Sequence, residues 1–144
     1  MMINMFSKFI FVITVIALFV SGCKKEPDDA TILLIGRWNQ VSLETVNYYD
    51  NVKQSETTKT YNEGDIVLEI MDDGTANKYV KGVISDAFYW TVDGELLLMT
   101  GNSGIVQTAQ FSVSKTDLTL QWAVQETSDG HLIRSDYRSI YKKQ

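Results

Sequence analysis

Four kinds of residue in this chain could carry chemistry: one thiol, one imidazole, a pair of adjacent carboxylates and a set of strand-borne aromatics. Cys23 is the single cysteine, so an intramolecular disulfide and a thiolate metal cluster are both excluded. His131 is the single histidine and stands beside Gly130 in a turn. A histidine acting on a nucleophile must be oriented by a third group, and a solvated turn offers no such support. Asp72 and Asp73 precede Gly74-Thr75, where aspartate serves local turn hydrogen bonds. No phosphate loop, HExxH helix, EF-hand or Cys/His cluster is present, so no catalytic residue, metal site or cofactor is expected. The aromatics remain. Tyr79, Phe88, Trp90, Phe111 and Trp122 fall on alternating segments, where they serve either as core or as the lining of a site for a small apolar molecule.

The 144 residues suit one folded domain with an appended segment. The formal charge is −5. Loss of residues 1–22 would remove only Lys8, leaving 12 basic against 18 acidic residues. That balance, with no basic stripe, argues against nucleic acid as a partner. The Lys142-Lys143 pair reads as a solvated tail.

Residues 1–22 have the form of a secretory signal: Lys8, an uncharged and mostly apolar run from Phe9 to Val20, then the small residues Ser21 and Gly22. The run is shorter than the roughly 20 residues that span a bilayer as a helix. Val20-Ser21-Gly22-Cys23 resembles the lipobox of bacterial lipoproteins, which implies that Cys23 is lipidated and becomes the mature N-terminus. Residues 23–31 then form a polar tether holding the only proline, Pro27. Glu26, Asp28 and Asp29 resemble the acidic export signals of some Bacteroidetes surface lipoproteins, although Lys24 and Lys25 depart from that pattern. The implied address is the cell envelope, as an outer-membrane lipoprotein on the periplasmic face or the cell surface.

Residues 32–144 carry the alternation of an all-β domain. Leu33–Leu43 opens it, with Gly36 at the strand mouth and Trp38 two residues on, a placement that fills the narrow end of a closed sheet. Val46–Val52 follows, and then a polar stretch from Lys53 to Glu63 reads as a flap or, alternatively, an extra edge hairpin. Further alternating runs begin near Asp65, Thr75, Ala87, Leu96, Ile105, Leu118 and His131, separated by Asp73-Gly74, Asp93-Gly94 and similar turns. Eight strands with short connections favour an antiparallel up-and-down barrel over the alternative, a β-sandwich, whose crossovers need longer links.

Gly36-Arg37-Trp38, Asp73-Gly74-Thr75, Val92-Asp93-Gly94 followed by Leu96-Leu97-Leu98, and Leu118-Thr119-Leu120 together resemble the small lipocalin-like lipoproteins of Bacteroidetes. The resemblance implies an eight-stranded lipocalin-like barrel, with a basic side chain from the last strand, Arg138 or else Arg134, packed over Trp38. With no catalytic motif, and with aromatics inside a barrel-sized meander below a long tyrosine-bearing loop, the expected protein is non-enzymatic and holds a small apolar molecule in or at the barrel mouth. The alternative is a filled barrel serving as an accessory or interaction lipoprotein.

Overall fold

The computed structural model describes residues 29–144. Residues 1–28, which hold the expected signal segment, Cys23 and most of the expected tether, lie outside the described residues. A short helix, α1 (Asp29–Leu34), leads into nine strands: β1 (Gly36–Tyr49), β2 (Val52–Thr60), β3 (Ile66–Ile70), β4 (Thr75–Val80), β5 (Val83–Asp93), β6 (Leu96–Gly101), β7 (Val106–Val113), β8 (Asp117–Ser128) and β9 (His131–Lys143). From β3 onward each strand pairs antiparallel with the next, and β9 returns to β1 along Trp38–Tyr49. Strands β1 and β3–β9 therefore close an eight-stranded up-and-down barrel, as the short connections imply.

The long strand β1 has two successive neighbours on one edge. Gly36–Asn39 pairs with β3, whereas Ser42–Tyr49 pairs with β2. The opposite edge stays with β9 throughout, with one extra residue, Val41, between the partners of Tyr141 and Ile140. The stretch from Lys53 is thus the outer strand of a hairpin and not a flap. All nine residues of β2 are exposed, so no buried face imposed an alternation on its sequence.

Three hairpins at this end turn on adjacent residues of positive φ: Asp50-Asn51, Lys81-Gly82 and Asp129-Gly130. Two left-handed residues in succession give the tight turn whose twist matches that of the flanking strands. The barrel consequently has one tall wall, the four-stranded order β2-β1-β9-β8, beside lower walls that end at the β4–β5 and β6–β7 turns.

The other end is a packed floor. Leu34, Trp38, Leu68, Ile70, Ala76, Trp90, Leu97, Ala109, Leu118, Leu120 and Tyr141 form one buried cluster. The helix closes it from below. Asp29–Thr31, read as tether, form its first turn, and Leu33 and Leu34 belong to it rather than to the first strand. A helix of six residues is too short to display a period.

Trp38 is fully buried, and its indole N–H donates to the Leu34 carbonyl at 2.7 Å. The cation over its ring is Lys143, with Nζ 4.8 Å from the ring centre. Lys143 also donates to the carbonyls of Ile35 (3.0 Å) and Leu33 (3.4 Å) at the end of the helix. Gly36 admits this lysine: its φ is +139°, and a Cβ there would sit 2.8 Å from Lys143 Cε.

The expected Arg138–Trp38 contact is therefore replaced. Lys143 is the register partner of Trp38, and Arg138, an odd number of residues earlier, lies on the opposite face and about 17 Å away along the strand. Arg138 instead pairs with Glu44 at 3.2 Å on the outside, and the guanidinium of Arg134 stands 4.4 Å from the Tyr48 ring centre. Nor are the last lysines a free tail, because Lys142 pairs with Asp117.

Candidate functional site

Register parity identifies what faces the interior. On β1 and β9 the inward set is Trp38, Gln40 and Leu43 opposite Lys143, Tyr141 and Ser139. It continues upward through Thr45, Asn47 and Tyr49 opposite Tyr137, Ser135 and Ile133. On β8 the same face carries Leu120, Trp122 and Val124, and on β2 it carries Thr57, Ser55 and Val52.

Going up from the floor, the first layer is polar. Gln40 and Ser139 are buried, and the Gln40 amide donates to the Ser139 hydroxyl. Burial pushes the Tyr141 phenol above its ordinary pKa, the Ser139 hydroxyl acting in the opposite sense. The buried Gln40 and Ser139 side chains satisfy one another.

Higher still, Trp122 stacks on Tyr137 with ring centres 5.2 Å apart and planes 11° from parallel. Asn47 joins the row above: its amide donates to Ser55 at 2.9 Å, and its carbonyl oxygen accepts from Ser135 at 2.7 Å. Thr45 and Thr57 flank the aromatic pair. The tall wall thus presents two stacked rings within a field of hydroxyls and one amide. Exposed Tyr49, Val52 and Val124 stand toward its tip, and exposed Val80 and Val83 form the facing rim. Large apolar side chains exposed on an inward-turned surface suit a ligand that displaces water there.

The wall beside the pair is interrupted on one side. β7 and β8 pair only between Gln110↔Gln121 and Val113↔Leu118, and above that seam they part. A cleft of about 360 Å³ opens at the parting, lined by Leu96, Thr108, Gln110, Gln121, Trp122, Ala123, Asp136 and Tyr137. A smaller groove of about 230 Å³ adjoins it, between Glu95, Gln110, Phe111 and Gln121.

Four of the five aromatics singled out in the sequence share one cluster. Phe88, Phe111 and Trp122 are half-buried against the core, and Trp122 also borders the cleft. Trp90 belongs to the floor, where its indole N–H donates to the Met71 carbonyl at 2.9 Å. Tyr79 is on the outer face and is removed from the candidate lining. Ala76 is the inward residue of β4, so the odd-numbered positions of that strand point out. There the Tyr79 hydroxyl donates to Glu69 at 2.7 Å and its ring receives the Arg37 guanidinium at 5.2 Å. That hydroxyl first, and Arg37 second, hold the Glu69 carboxyl below its ordinary pKa. Tyr137 was missed, although its alternation with Ser139 and Tyr141 places all three on one face.

His131 is not free in its turn. Its Nδ1 lies 2.7 Å from Asp50 Oδ2, its ring stacks on Tyr49 at 4.8 Å, and the Leu132 N–H donates to Asp50 Oδ1 at 2.8 Å. Asp50 thereby clasps the tips of the β1–β2 and β8–β9 hairpins. The Leu132 amide chiefly, and His131 after it, hold this carboxyl below its ordinary pKa.

Among the described residues, no group of three or more His, Cys, Asp or Glu side chains is placed to hold a metal ion, and no helix is long and apolar enough to cross a membrane. The class of protein defined at this point is a closed eight-stranded antiparallel β-barrel with a packed floor and one additional outer strand. Comparison of the chain with family models, with curated proteins and with solved structures returns no match.

Proposed function

We propose that the protein is a lipid-anchored, lipocalin-like binding protein of the cell envelope that takes a small, largely apolar molecule at its open mouth. The observation that carries this reading is the Trp122–Tyr137 stack, set above a packed floor and bordering the side cleft. A ligand ring lying on the pair would leave its polar groups facing Thr45, Asn47 and Thr57. Burial of about 300 Å² of apolar ligand surface at about 25 cal/mol per Å² contributes about 7.5 kcal/mol, an upper bound near micromolar affinity.

The packed floor favours a second reading, a filled-barrel accessory protein with no ligand. Titration of the full-length protein with N-phenylnaphthylamine, read by energy transfer from tryptophan, separates the two. Saturable micromolar binding is expected, weakened about tenfold by Trp122→Ala through loss of roughly 1.4 kcal/mol of ring contact and unchanged by Tyr79→Phe. No binding at micromolar probe, or equal binding by the Trp122→Ala protein, overturns the ligand reading.

A further inference from the structure

The tall wall has two free edges, and they are not alike. β2 carries Lys53, Glu56 and Lys59, with a bulge where its register against Asn47 and Tyr48 shifts. Charges and bulges on an edge oppose the addition of another strand. Among the described residues, β8 above its seam is paired to β9 alone from Trp122 to Ser128, in unbroken register. Trp122, Ala123, Val124 and Gln125 bring no charge, proline or bulge to that edge. From Trp122 to Gln125 the edge is unguarded, Glu126 being its first charge, and it borders the 360 Å³ cleft.

An unpaired strand edge offers amide donors and carbonyl acceptors in alternation, a pattern that an extended main chain complements and a compact small molecule does not. β7 runs alongside as far as Val106, so whatever reaches the β8 edge must pass between two strands. A single extended chain is slender enough to do so, and a second barrel is not. Charge narrows the class further. Glu95 at the lower end of the groove and Glu126 at the upper end of the edge form no ion pair among the described residues. Between them Thr108, Gln110 and Gln121 are neutral, and Asp136 is already paired with Arg134 at 2.9 Å.

We propose that the β8 edge from Trp122 to Glu126 is a strand-addition site for an extended peptide segment with basic residues near its ends and an apolar side chain between them. The apolar side chain seats in the cleft against Leu96 and Ala123. From Gln121 to Glu126 the strand rises about 17 Å, the span of about five extended residues. This site uses the backbone of β8, whereas the ligand reading above uses the faces of the rings. The two can therefore fail separately.

The test is hydrogen exchange of the full-length protein with and without the synthetic peptide Lys-Val-Thr-Phe-Thr-Val-Lys. New protection is expected in fragments covering Trp122–Ser128 and not in those covering Val52–Thr60. Methylating alternate peptide nitrogens on the pairing side should weaken binding about tenfold or more, because each lost main-chain bond is worth about 0.5–1.5 kcal/mol. Glu126→Lys, which leaves the backbone edge intact, should shift preference toward a peptide ending in glutamates, and Ala123→Lys should block both peptides while far-ultraviolet circular dichroism stays unchanged. Equal affinity for the methylated peptide, or protection confined to β2, overturns the proposal. Protection of β8 that rises with protein concentration in the absence of peptide also overturns it, assigning the edge to a second copy of the chain.

Discussion

Trp38→Ala tests the floor most directly. The side chain is fully buried, and large aromatics bury about 150–250 Å², so at about 25 cal/mol per Å² the indole accounts for roughly 4–6 kcal/mol before alanine's share is deducted. Removing it also orphans the buried Leu34 carbonyl, a further penalty of about 1–3 kcal/mol unless water enters. Partial collapse of the cavity offsets some of this, which places the loss at about 3–5 kcal/mol, as for other buried aromatics. With a urea dependence near 2 kcal/mol per M, the unfolding midpoint should fall by about 2 M. The denaturation curve should be paired with a double-mutant cycle of Trp38→Phe against Lys143→Ala and, separately, against Arg138→Ala. Coupling of about 0.5–1 kcal/mol is expected with Lys143 and none with Arg138. A loss below about 1 kcal/mol for Trp38→Ala, or coupling to Arg138 instead of Lys143, would refute the account of the closed end.

Gly36→Ala should lower stability by about 1–3 kcal/mol in the same urea assay, because the new methyl group meets Lys143 in a backbone conformation that L-residues avoid. An unchanged midpoint would show that the lysine is not seated there. At low pH the hairpin clasp should open before the barrel unfolds. Folding lowers the Asp50 pKa, so its contribution is complete above the unfolded value near 3.8 and is lost as pH falls through the lower folded value. Faster amide exchange at Leu132 below pH 4, absent in an Asp50→Asn protein already open at pH 7, would show it; equal protection at both pH values would not. Cys23 is expected to carry acyl chains in protein extracted from membranes, and Cys23→Ala should leave the membrane fraction. An unmodified Cys23 by mass spectrometry would remove the anchor.

The barrel was legible because its strands are half-buried and its turns carry the residues that tight turns require. Asp73-Gly74 and Asp129-Gly130 fall between strands, Asp93 ends β5 with Gly94 just after it, and all three glycines have positive φ. Burial of Trp38 followed from its place beside Gly36. What escaped the sequence was decided by pairing. β2 has no buried face and so no alternation to read. Tyr79 looked inward because it is large and aromatic, but on β4 the inward place belongs to the smaller Ala76, and parity sends tyrosine out to Glu69 and Arg37. Lys143 looked like tail until its register with Trp38 was known. The Trp122–Tyr137 pair needs two strands in register, which no single segment encodes.

Placement of α1 beneath the floor also gives the molecule a direction. The chain enters the barrel at Asp29, passes under the core, and starts β1 at the closed end, while the mouth and the tall wall lie at the opposite pole. Anything attached upstream of Asp29 is therefore joined to the sealed face. If Cys23 is acylated as proposed, the lipid would be joined on the side of that sealed face, the opposite pole from the tall wall and its strand edge.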